Sequence, residues 1–244
     1  MSEQLKPPNI ARVYTEQARA YINFSSDSFS WKFLEKPVLD KHIHNLYKPD
    51  TRVLDAGCGN GRIIEHLIKN GIKATNITGV DITTDLLLEA RQNMPEVRYI
   101  HADIAKTGHF IEDNQYDLIT AAMFFHYLDD DKLKNAMSNF YKWLKPNGTL
   151  FYVTTHPVRI VSSKLDHYHE KGWRDEDTPW GTKTPYFHRT TADYINETIK
   201  AGFRINVLDE PSIPDEGLQI DPKEYKKYKS YGPSRLVVKA IKTG

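Results

Sequence analysis

The chain has 244 residues, enough for one α/β domain with a substantial core and short for two full domains. Hydrophobic residues at 39% and charged residues at 27% describe a soluble globular protein, and 33 Lys+Arg against 32 Asp+Glu leave a formal charge of +1, so no global positive field favours a phosphate backbone. No apolar run long enough for a membrane span occurs, the N-terminal residues lack the apolar centre of a secretory signal, and a lone Cys58 forbids an intramolecular disulfide or a multi-cysteine zinc site. The expectation is a cytoplasmic protein.

Residues 1–50 carry two predicted helices, the first through Tyr14 and Tyr21, the second broken or started at Pro37. A short buried strand follows at 52–56, then Gly57-Cys58-Gly59-Asn60-Gly61, then a helix whose apolar face is Ile63, Ile64, Leu67 and Ile68 and which Asn70-Gly71 closes. Residues 77–81 give a second strand, and Thr83 or Thr84 caps the helix carrying Leu86, Leu87 and Ala90. Strands at 97–100 and 116–123 precede a helix opened by Asp129-Asp130-Asp131, whose acidic first turn suits the helix dipole. Lys145-Pro146-Asn147-Gly148 reads as a turn into a fifth strand at 149–155. Thr190 or Thr191 starts a further helix, and 203–208 and 235–241 supply the last strands. Residues 156–189 show no sustained helical period, and 211–233, with Pro211, Pro214, Pro222 and Pro233, read as a loop excursion.

This alternation predicts a parallel sheet covered by helices. The glycine loop stands at a strand-to-helix junction, where the backbone turns tightly and the helix N-terminus offers free N–H groups to a nucleotide-like ligand. The dinucleotide spacing G-x-G-x-x-G is missing, and Asp55 before the loop repels a pyrophosphate and attracts a cation. Asp81 ends the second strand, where a carboxylate accepts two ribose hydroxyls, and Asp103 after the third is placed to accept from an adenine amino group.

These residues, with Tyr116-Asp117-Leu118-Ile119 running into Phe125-His126-Tyr127 and with Leu144-Lys145-Pro146-Asn147-Gly148, resemble the class I S-adenosylmethionine-dependent methyltransferases. The resemblance implies a Rossmann-like seven-stranded sheet, six strands parallel and the last antiparallel, with helices on both faces. It divides a single domain into an N-terminal helical lid (1–50), a cofactor-binding core (51–155), substrate-cap insertions after strands five and six (156–189 and 211–233), and the C-terminal part of the sheet (190–210 and 234–244). S-adenosyl-L-methionine is the implied cofactor and S-adenosyl-L-homocysteine the product. Asp55, Gly57, Cys58 and Gly59 would surround the methionine portion. Asp81 would hold the ribose, Ile82, Asp103 and Ile104 the adenine, Ala122 or Met123 the ammonium, and Tyr14 would close over the cofactor.

Methyl transfer by in-line displacement needs positioning and the management of one proton. His156, directly after strand five, is the first candidate base, with His126 and His188 behind it. Tyr14, His156, Trp173, Trp180, Tyr186 and Phe187 are the expected substrate wall. The Asn/Asp-Pro-Pro-Tyr/Phe signature of nucleobase-amine and glutamine methylation is missing, since Ala121-Ala122-Met123-Phe124 stands there. The acidic pair of metal-assisted catechol methylation is missing too. The expectation is therefore metal-independent transfer to a small aromatic or heterocyclic acceptor at O, N or C, by a monomer or homodimer with no membrane or nucleic-acid partner. RNA modification, with Lys223, Lys226, Lys227 and Lys229 as docking patch, and non-catalytic cofactor binding are the alternatives.

Overall fold

A computed structural model describes residues 8–25, 27–106 and 110–244. Residues 1–7 of the expected lid lie outside the described residues. Five strands come in the order expected: β1 Val53–Ala56, β2 Ile77–Asp81, β3 Arg98–His101, β4 Tyr116–Ala122 and β5 Leu144–Thr155. Between them stand α3 Arg62–Lys69, α4 Thr84–Asn93 and α5 Asp130–Trp143, preceded by α1 Ile10–Ser25 and α2 Lys36–Ile43. The chain then runs through a helical turn, α6 Pro157–Ile160, a hairpin, β6 Gly172–Asp177 and β7 Lys183–His188, and α7 Thr191–Lys200 into β8 Phe203–Asp209. Two short helices, α8 Glu216–Ile220 and α9 Pro222–Ser230, lead to the last strand, β9 Arg235–Lys242.

The main sheet has the order β3-β2-β1-β4-β5-β9-β8. Pairing is parallel from β3 to β5 and antiparallel on both sides of β9, so six strands run one way and β9 alone opposes them, as the sequence predicts. The two-residue period of the strands divides the core between two layers. Leu54, Ile119, Leu150, Tyr152 and Val238 pack with Met137 and Phe140 of α5 and Tyr194 of α7. Their neighbours Val53, Leu118, Phe151, Val153 and Val237 pack with Val38 and Leu39 of α2 and Ile64 and Leu67 of α3. Burial on both faces is why these strands read as continuous apolar runs.

Capping explains several helix starts. Asp129 accepts from the Lys132 amide at 3.0 Å, and Thr190 and Asp193 form a reciprocal capping box. Two expectations need correction, and the segment without a helical period takes a definite shape. Residues 211–233 are partly helical, because Pro222 sits in the first turn of α9, where no amide is needed, and Asp221 caps it by accepting from Lys223 and Glu224 amides. Residues 156–189 hold the β6–β7 hairpin, whose Trp173 and Phe187 face each other across the strands at 5.2 Å. The Lys145–Gly148 turn is absorbed into a longer β5.

Candidate active site

At the carboxyl ends of β1 to β4 lies a cleft of about 750 Å³. Its floor is the glycine loop. Gly57 adopts φ +68°, and a Cβ there would stand 3.0 Å from the Phe124 side chain, so both backbone and space require glycine. Gly57 and Cys58 amides donate to the Val80 carbonyl at 2.8 and 3.0 Å, stitching the loop to the end of β2. The Gly59 and Thr83 amides each donate to a different oxygen of Asp81 at 2.8 Å, which fixes that carboxylate at the cleft edge. Burial raises its pKa.

Of the residues expected around a cofactor, Tyr14, Gly57, Gly59, Asp81, Ile82, Asp103, Ile104, Ala122 and Met123 line this cleft. Asp103 accepts from the Ala105 amide at 3.0 Å and so shapes its own turn. Met123 is held at φ +55°, a costly conformation for a non-glycine residue, with its amide donating to the Val153 carbonyl at 2.7 Å. Asp55 and Cys58 stand behind the lining. Asp55 accepts from Thr120 Oγ1 at 2.7 Å through one oxygen, its other oxygen is buried without a protein partner, and burial pushes its pKa up to about 7. The buried Cys58 thiol packs against Gly79, and burial pushes its pKa well up, away from nucleophilic chemistry.

A second cleft of about 470 Å³ adjoins the first, sharing Tyr14, Tyr21, Met123 and Tyr127 with it. Tyr14, Tyr21 and Trp180 pack edge to face, with Tyr14–Tyr21 centroids 5.6 Å apart and Tyr21–Trp180 centroids 5.2 Å apart. Gln17 of α1 clasps the turn of the β6–β7 hairpin. Its amide donates to the Lys183 carbonyl at 2.9 Å, and its oxygen accepts from Trp180 Nε1 at 2.9 Å and Thr182 Oγ1 at 2.6 Å. Arg189 supports the turn bearing Tyr127 by donating to the Phe125 and Leu128 carbonyls.

Of the expected substrate wall, Tyr14, Trp180 and Tyr186 line the second cleft, while Trp173 and Phe187 pack on each other away from it. The three candidate bases line neither cleft. His156 caps α6, its Nδ1 accepting from the Val158 amide at 3.1 Å while Nε2 meets Glu210 at 2.8 Å, so both ring nitrogens are engaged. His126 is buried against Thr154 and the Tyr127 and Tyr186 rings, and burial drives its pKa well down. His188 bonds the Tyr168 carbonyl at 2.8 Å and serves the hairpin.

Sequence reasoning missed the charged lining of the second cleft: Arg62, Arg159, Arg235 and Glu35. Arg235 and Glu35, 200 residues apart, form a fully buried ion pair at 2.6 Å. Arg62 donates to the Ser25 carbonyl and to Ser28 Oγ and lies 4.6 Å from the centre of the Trp31 ring. Arg159, on α6, lies over Tyr228 and Tyr231 and has no side-chain hydrogen bond or ion pair among the described residues. Isolated arginines carry no local pattern. Only the fold shows that they converge.

A family model described as a methyltransferase domain matches residues 53–148, from β1 to the turn inside β5. An uncharacterized protein of Haemophilus influenzae is 28% identical over 238 residues, covering 86% of this chain and 88% of its own length. A malonyl-(acyl-carrier protein) O-methyltransferase of Enterobacter lignolyticus is 33% identical over 162 residues, or 66% of this chain, and this chain spans 59% of that relative's length. A solved structure from Listeria monocytogenes, described as a candidate S-adenosylmethionine-dependent methyltransferase, superposes with a TM-score of 0.66 at 26% identity, covering 86% of this chain and 99% of that one. With the sheet order, the glycine loop and the carboxylate ending β2, these likenesses assign the chain to the class I S-adenosylmethionine-dependent methyltransferases.

Proposed function

We propose that the first cleft holds S-adenosylmethionine and the second a small-molecule acceptor, so that methyl transfer takes place at their shared wall of Tyr14, Tyr21, Met123 and Tyr127. That shared wall carries the reading. The lining suits the cofactor: Asp81 presents a carboxylate fixed by two amides to the ribose hydroxyls, and Ile82, Ile104 and Leu128 offer apolar surface to the adenine. Buried Asp55, whose pKa burial raises to about 7 and whose second oxygen has no protein partner, would take up its negative charge when a cationic methionine portion lies beside the loop. When bound, the cofactor supplies a methyl carbon activated by a neighbouring sulfonium.

The protein's own contribution is placement and exclusion of water. Tyr14, Tyr21, Phe24, Trp180 and Tyr186 surround the acceptor with ring faces and edges, which favours a small acceptor with flat or apolar surface, as the aromatic content of the cap suggested. Among the described residues the lone carboxylate of the second cleft, Glu35, is engaged by Arg235, which favours direct in-line transfer without a metal bridge. Titration calorimetry with S-adenosylhomocysteine tests the cofactor assignment. Binding by the wild type, weakened on the order of 100-fold by Asp81→Ala, is expected; equal affinity in both would remove Asp81 from the site.

A further inference from the structure

The second cleft has a surplus of fixed positive charge. Arg235 is neutralised by Glu35, whereas among the described residues Arg62 donates to neutral oxygens and lies over Trp31, and Arg159 lies over Tyr228 and Tyr231 with no ion pair, the nearby Glu176 carboxyl only feeling its charge. A half-buried guanidinium with five donors and no acceptor is costly to hold unless a ligand satisfies it, and a planar carboxylate matches its fork. The position is also built. His156 caps the single turn of α6 and thereby aims Arg159 from the end of β5 into the cleft.

The same lining is poor in proton acceptors. Glu35 is its lone carboxylate, no histidine reaches it among the described residues, and burial raises the Tyr14, Tyr127 and Tyr186 hydroxyls above their ordinary range. A protonated amine would be repelled by the arginines, and an alcohol would find no base. A carboxylate needs neither help.

We infer that the acceptor is a small-molecule carboxylic acid, held as its anion by Arg159 and Arg62, and that the methylated atom is a carboxylate oxygen. A lone pair of that oxygen forms the new O–CH3 bond as the S–CH3 bond breaks and its electron pair passes to sulfur. The sulfonium becomes a neutral thioether and the carboxylate a neutral methyl ester, so no proton is moved and no base is required. The neutral ester is then held less tightly by the arginines than the acid was, which favours its release.

This inference rests on the proposed use of the two clefts, and the test separates the two. The purified protein is incubated with a small-molecule metabolite extract and S-adenosylmethionine labelled in its methyl group, and the products are then treated with mild alkali. Methyl esters release the label as volatile methanol, whereas methyl groups on amine nitrogen, carbon or ether oxygen stay fixed. Alkali-labile label, reduced at least about tenfold in Arg159→Gln while S-adenosylhomocysteine binding by calorimetry is retained, is the expected result. Alkali-stable label would overturn the carboxylate while leaving methyl transfer intact, and equal labelling by Arg159→Gln would overturn the arginine's role. No label transfer despite cofactor binding would overturn the methyl-transfer reading, and the carboxylate with it.

Discussion

The Tyr14 hydroxyl donates to the Tyr127 hydroxyl at 2.5 Å, joining the N-terminal helix to the turn after β4 where the two clefts meet. Their rings cross at 82° with centroids 5.3 Å apart, so packing survives if the hydroxyl is removed. Tyr14→Phe should therefore cost about one buried hydrogen bond, roughly 1 kcal/mol, and lower kcat/KM by about three- to tenfold. Steady-state kinetics indistinguishable from wild type would take this pair out of the working site.

Asp81 anchors both the glycine loop and the start of α4, so its loss should damage the proposed cofactor cleft twice over. Asp81→Ala is expected to weaken S-adenosylhomocysteine by on the order of 100-fold, and Asp81→Asn by less, because one side-chain oxygen can still accept from an amide. Calorimetry on both variants gives the ranking, and equal losses would mean that charge alone matters.

Asp55 gives a pH dependence of defined sign. Burial moves its pKa from 3.8 to about 7, so between those values the folded chain keeps a proton that the unfolded chain has released. Stability without cofactor should fall as pH rises across that interval, by on the order of 3 kcal/mol. Asp55→Asn should flatten the slope. Urea unfolding at about pH 5 and about pH 7.5 measures it, and parallel behaviour of variant and wild type would show Asp55 to be charged throughout.

The Gln17 clasp predicts a dynamic change rather than a chemical one. In Gln17→Ala the hairpin turn loses its bonds to α1, and amide hydrogen exchange in 10–25 should accelerate while the strands of the main sheet are unaffected. Unchanged exchange in that helix would show that aromatic packing alone holds it.

His156 offers a sharper contrast between sequence and structure. Its place after strand five and before Pro157 suits a base, yet Glu210, distant in sequence, and the Val158 amide take up its ring, and the cleft is reached by Arg159 three residues later. His156→Asn should leave the shape of the pH–rate profile unchanged while lowering the rate through a loosened α6. A lost acidic limb would restore His156 as the base.

What the sequence made legible has a local cause. The loop from Val53 to Gly61, the strand-end Asp81 and the acidic opening of α5 are written in neighbouring residues, so spacing alone locates them. Where the chain meets itself across long separations, spacing is silent. Glu35 with Arg235 is one such case, Gln17 with the hairpin another. Prolines misled at 211–233 because Pro222 starts a helix there, and a proline's meaning depends on which turn it occupies.

The insertion of β9 between β5 and β8 bears on how the protein is made. Every residue lining the first cleft has been synthesised once the chain reaches position 132, whereas the second cleft lacks Arg235 until the last strand is made and threads into the sheet. Until then Glu35 has no counter-ion and the edge of β5 is open. The two clefts thus mature at different times, and the one proposed to hold the acceptor is completed last.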